Sequence, residues 1–128
     1  MKLRIKANSL RFRLTRSELM KLIDTGHIEE TIYFSSNEQS RLTYALEHEP
    51  DLISATLRYK PPKVVVVLPK EEATAWADSN QVGIYATVDL GPVGALDLIV
   101  EKDFACLDLS DADNLDTFPN PNAAGICP

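Results

Sequence analysis

With 128 residues, 45% of them apolar, and both charge signs interspersed, the chain is sized for one domain with a sizeable core, and the composition excludes a largely disordered polymer. A formal net charge of −6 argues against general nucleic-acid affinity, which needs excess Lys and Arg to neutralise phosphates. The opening MKLRIKANSLRFRL holds no apolar stretch long enough for an export signal, and the longest apolar run, Val64 to Leu68, is far short of the roughly 20 residues of a membrane span. These readings predict a cytoplasmic protein with neither nucleic-acid nor membrane partners.

Along the chain, Lys2, Arg4 and Lys6 alternate with Leu3, Ile5 and Ala7, the two-residue period of a half-buried strand. Ala7 to Ser9 supplies turn residues, and Leu10 to Leu14 follows as the return strand of a hairpin. Thr15 with Glu18 three positions later has the pattern of a capping box. Leu19, Leu22 and Ile23 then form the buried stripe of a helix ending at Gly26, a residue free to take left-handed backbone. Ile28, Glu30, Ile32 and Phe34 alternate as a third strand, and Leu42, Tyr44 and Leu46 mark a fourth.

The second half repeats the first. A shift of 54 positions lays Leu3, Arg4 and Lys6 on Leu57, Arg58 and Lys60, and it continues through Leu14/Leu68, Glu18/Glu72, Asp24/Asp78, Leu42/Leu96 and Glu47/Glu101. The structural signals coincide too. Pro61 to Lys63 is a turn, Val64 to Leu68 a strand, and Pro69 opens a helix with Ala73, Trp76 and Ala77 on its buried stripe and Asn80 at its end. Val82, Ile84, Ala86 and Val88, then Leu96, Leu98 and Val100, complete the unit. The expectation is an α+β fold of two tandem ββαββ repeats, 1–54 and 55–108, forming a pseudo-twofold antiparallel sheet or partly closed barrel with two helices. Residues 109–128, acidic and rich in Asn and Pro, are expected to be an irregular arm pinned by Phe118.

Charge is graded along the chain. Seven basic residues against the single acid Glu18 lie between Lys2 and Lys21, and seven acids against the single base Lys102 lie between Asp97 and Asp116. On the outward face of the opening hairpins stand Arg4, Lys6, Arg11 and Arg13, with Arg58 and Lys60 in the second copy. If the repeats pair by twofold symmetry these cations converge into a site for an anionic small molecule or protein segment. The competing use is cross-strand pairing with Glu30, Glu47, Asp97 or Glu101.

Other chemistry is thinner. Cys106, Cys127 and Asp103 could supply metal ligands with His27 or His48, but the spacing matches no zinc pattern; the default reading is two free thiols, with a disulfide tethering the tail as the lesser alternative. The run Asp111 to Asn114 lacks the glycine and terminal glutamate of a calcium loop. No phosphate loop, GxSxG or nucleophile–base pair is present. The expectation is therefore a non-enzymatic binding module without a cofactor, with self-association into a homo-oligomer as a further possibility that would show as an exposed apolar patch.

KLRIKANSLRFRLT, AWADSNQVGI and VEKDFACL followed by DTFPNP resemble a family of short uncharacterised bacterial proteins, which implies a bacterial, stand-alone cytosolic protein and assigns no activity. Leu10 to Leu14 and Leu42 to Glu47 are also similar to strands of the triphosphate tunnel enzymes, whose barrels are built from two related halves. Their opening ExExK motif is absent, with Lys2 and Arg4 where glutamates would hold the metal. That departure argues against the alternative of phosphoanhydride hydrolysis in a tunnel.

Overall fold

The computed structural model describes residues 1–104 and 116–119. Its elements are β1 (Lys2–Lys6), β2 (Ser9–Leu14), α1 (Arg16–Thr25), β3 (His27–Tyr33), β4 (Arg41–Glu49), β5 (Thr56–Lys60), β6 (Lys63–Pro69), α2 (Lys70–Ala77), β7 (Gly83–Asp89) and β8 (Ala95–Lys102). This is ββαββ twice in an α+β fold, as the periodicity predicts.

The strands assemble differently from a single antiparallel sheet. They form two four-stranded sheets, ordered β1-β2-β8-β7 and β3-β4-β6-β5, and no closed barrel exists among the described residues. Each sheet joins the first hairpin of one repeat to the second hairpin of the other. Within a hairpin the pairing is antiparallel, whereas the central pairs β2–β8 and β4–β6 are parallel. The exchange obeys the pseudo-twofold closely: Leu10 faces Leu98, and their counterparts Val64 and Tyr44 face each other.

The 54-residue correspondence slips by two at one strand. Ile28 lies opposite Leu46 while Ile84 lies opposite Val100, so the partner of Ile28 is Ile84 rather than Val82. The cause is a longer connection after α2, which ends at Ala77 with Asp78 as C-cap. Asn80 does not serve as a left-handed helix end, whereas Gly26 does so after α1 with φ 80°. The first helix begins with the expected capping box, Thr15 accepting from the Glu18 amide and Glu18 accepting from the Thr15 amide.

The inner faces of both sheets and the two helices share one core, in which Phe12, Leu14, Leu22, Leu46, Val66, Leu68, Trp76, Ile84, Leu98 and Val100 are buried. Trp76 satisfies its indole N–H on the Val82 carbonyl at 3.1 Å. A side chain of this size contributes about 1.5–3 kcal/mol by leaving water. Below the second sheet a smaller cluster, Ala45, Val65 and Val67, is covered by Leu52. The apolar run of β6 is thus explained by burial on both faces. No described helix is long and apolar enough to cross a membrane.

The segment around Phe118 is tied down. Its amide bonds the Asp103 carbonyl at 2.8 Å, its ring meets Phe104 edge-on, and Asp116 accepts from the Arg16 amide and the Ser17 hydroxyl at the start of α1.

Candidate functional site

The two-residue turn Ala7–Asn8 sets the register of the first hairpin: Lys2 lies opposite Arg13, Arg4 opposite Arg11, and Lys6 opposite Ser9. Alternation sends Leu3, Leu10, Phe12 and Leu14 to the core side, so Lys2, Arg4, Lys6, Arg11 and Arg13 share the outer face of the first sheet. Arg4, Lys6, Ser9, Arg11 and Ile99 line a hollow of about 100 Å³ there.

The electrostatics of this face are uneven. Arg11 Nε is 3.3 Å from Glu101, and Lys2 Nζ is 2.9 Å from Asp103. Glu101 also accepts from the Tyr85 hydroxyl at 2.8 Å. Burial, reinforced by that carboxylate, pushes the Tyr85 phenol up to about 12. Asp97 is engaged by the Thr87 hydroxyl at 3.0 Å. Among the described residues Arg4 and Lys6 have no ion pair, and Arg4 lies opposite Arg11 in the strand register. Like charges placed opposite one another on adjacent strands cost stability.

The six cations singled out from the sequence do not all converge. Arg58 and Lys60 sit on β5 in the other sheet. Arg58 is clamped by both oxygens of Glu49, at 2.6 and 2.8 Å, a partner that sequence reasoning missed. Hairpins that occupy equivalent places in different sheets carry their outer faces away from each other, so the pseudo-twofold separates the two basic sets. Of the four acids expected to compete, Glu101 pairs with Arg11 of the hairpin. Glu47 bonds His27, and Glu30 accepts from the Met1 ammonium and the Tyr44 hydroxyl.

The site arises where the two repeats diverge. Arg11, Arg13 and Ile99 occupy the places held by Val65, Val67 and Ala45 in the second sheet. There Leu52 seals an apolar patch, whereas the first sheet offers guanidiniums around an open hollow. Comparing the two copies position by position is the signal that would have found Ser9 and Ile99.

Of the candidate metal ligands, Asp103 is buried against Lys2, while Cys106 and Cys127 lie outside the described residues. Among the described residues no three His, Cys, Asp or Glu side chains are placed to hold a metal ion. His27 stands between Glu29 and Glu47, at 2.7 and 2.9 Å. His48 Nε2 lies 3.3 Å from the Ile23 carbonyl near the end of α1. The counterpart of His48, Lys102, donates to the Ser79 carbonyl at 2.6 Å, just past α2, and burial lowers its pKa. Each therefore places a hydrogen-bond donor against a backbone carbonyl near the end of a helix. The strands likened to a tunnel lining bury Phe12, Leu14 and Leu46 in the core, leaving no lumen between them.

A family model described as Family of unknown function (DUF7009) matches residues 1–122. No curated protein and no solved structure matches the chain.

Proposed function

Because the chain belongs to the family of unknown function DUF7009, whose description assigns no activity, we propose a role from the site itself: a small binding module that takes one anionic group between Arg4, Lys6, Ser9 and Arg11. The supporting observation is that Arg4 and Arg11 lie opposite each other in register and line a hollow with Lys6, while among the described residues neither Arg4 nor Lys6 has an ion pair. An anion seated there would relieve the repulsion between the two guanidiniums and accept forked hydrogen bonds from both. At about 100 Å³ the space is well under the roughly 300–1,000 Å³ of pockets for drug-sized ligands. It suits a single carboxylate or phosphate group, presented by a small molecule or by an acidic protein segment.

Calorimetric titration with inorganic phosphate, acetate and a glutamate-rich peptide separates these sources. The expected result is saturable binding of at least one of them that Arg4→Gln combined with Arg11→Gln abolishes while the far-UV spectrum is retained. Equal binding by the wild type and that double variant would remove the proposal.

A further inference from the structure

The strand register divides the outer face of the first sheet by charge. Arg4, Arg11, Ile99 and Tyr85 stand opposite one another as one row across β1, β2, β8 and β7, and Lys6, Ser9, Asp97 and Thr87 form the next row towards the turns. β1 and β2 contain no acid at all. β7 and β8 present no cation on this face, because their one basic residue, Lys102, alternates to the core side and is buried.

Several of the charges here hold one another. Arg11 is on Glu101, which also takes the Tyr85 hydroxyl, and Lys2 is on Asp103. Among the described residues Arg4, Lys6 and Asp97 have no ion pair, and all three are exposed. Asp97 takes the Thr87 hydroxyl on Oδ1 at 3.0 Å, and its Oδ2 has no partner among the described residues. Asp89, next on the outer row of β7, adds to the negative end. Lys6 and Asp97 are two strands apart, about 10 Å from backbone to backbone, with Ser9 between them.

Two hollows bridge these ends. The one of about 100 Å³ lined by Arg4, Lys6, Ser9, Arg11 and Ile99 shares Ile99 with a second, of about 350 Å³, that runs over Asp97, Thr87 and Tyr85. Ile99 is half-buried and apolar, so it stands as a greasy wall between a positive end and a negative end.

We propose that this face takes a small zwitterion, with a carboxylate or phosphate at Arg4, Lys6 and Arg11, an ammonium at Asp97, and an aliphatic linker across Ile99. The inference rests on the anion site proposed above and adds to it a second contact and a length. From midway between β1 and β2 to β8 is one and a half strand spacings, about 7 Å. An extended chain of about six bonds covers that distance, whereas the two charges of an α-amino acid are only two bonds apart. A carboxylate that already accepts one hydroxyl keeps lone pairs for the donors of an ammonium. Left unpaired, Asp97 repels a plain anion seated on the same face, and a cationic end on the ligand turns that repulsion into attraction. The same acid selects against dianions.

Calorimetry on the full chain with two matched pairs tests this: 6-aminohexanoate against hexanoate, and 4-aminobutyl phosphate against butyl phosphate. In the pair that binds, the amine-bearing member is expected to bind about tenfold tighter than its plain partner at low ionic strength. Asp97→Asn, which keeps an acceptor for Thr87, should bring that ratio to about one with the far-UV spectrum unchanged. Glycine, too short to span, should show no gain over acetate, and a gain equal to that of the long amines overturns the stated length. Equal binding within each pair, or a preference that survives Asp97→Asn, overturns the zwitterion and leaves the anion site standing. Binding of inorganic phosphate but of none of the four does the same. No binding of phosphate, acetate or any of the four removes both readings.

Discussion

Replacing Arg4 with glutamine should stabilise the free protein while removing its affinity for anions. In register with Arg11, the Arg4 side chain starts about 4.5–5.5 Å from its neighbour, and a like-charge pair at that place costs about 0.2–1 kcal/mol. Arg4→Gln removes this repulsion, with an expected gain of about 0.5 kcal/mol and a rise of about 2 °C in Tm for a domain of this length. The assay is thermal unfolding followed by circular dichroism at low ionic strength, repeated near 1 M salt, where a Debye length of about 3 Å should erase most of the difference. Bound phosphate offsets the same repulsion in the wild type. At tenfold excess over Kd it should stabilise the wild type by about 1.4 kcal/mol through linkage and leave Arg4→Gln unchanged. A variant that melts below the wild type at low salt, or a gain that persists at high salt, would refute the reasoning, since Arg4 would then be making a favourable contact.

Gly83→Ala should destabilise the fold by about 1–3 kcal/mol, because an added Cβ would lie 2.5 Å from the Val100 carbonyl and 2.8 Å from Glu101 Cγ; denaturant midpoints measure the loss. The Met1–Glu18 pair predicts two pH limits. Burial opposes charge on Glu18, but its hydrogen bonds with the Met1 ammonium and Thr15 outweigh this and hold its pKa below the ordinary 4.5. Burial likewise opposes the ammonium, and Glu18 and Glu30 raise it above the ordinary 8.0. The carboxylate's contribution is complete above pH 4.5 and lost as pH falls through the depressed value, and the ammonium's is complete below pH 8.0 and lost as pH rises through the raised one. Urea midpoints should therefore plateau between those limits, and Glu18→Gln should flatten both shoulders; an unchanged profile would count against the pair. In an ultraviolet titration of the four tyrosines, Tyr85 should ionise near pH 12 and Tyr44 above the ordinary value of 10, raised by burial and by Glu30. Tyr85→Phe should remove the latest step.

Local signals carried much of this fold. The alternation of Lys2 to Lys6, the Thr15–Glu18 box and the Gly26 stop each depend on neighbours within a few residues, and each stands in the structure where the sequence puts it. Partners distant in sequence were less legible. Alternation in β2 and β8 is equally compatible with parallel and antiparallel pairing, so the exchange of hairpins between repeats could not be deduced from it. That exchange is what moves Arg58 and Lys60 away from Arg4 and Arg11. The two-residue slip that pairs Ile28 with Ile84 lies in a connecting segment, where no periodicity constrains length. Glu30 looks like an exposed strand charge because its partner, the Met1 ammonium, is a chain end rather than a side chain.

Amide chemical-shift mapping of the 15N-labelled protein during titration with inorganic phosphate at low ionic strength addresses the hollow directly. Saturating shifts concentrated at Arg4, Lys6, Ser9, Arg11 and Ile99, with Arg58 and Lys60 unmoved, are the expected result. Shifts spread evenly over all basic residues, or centred on the second sheet, would contradict it.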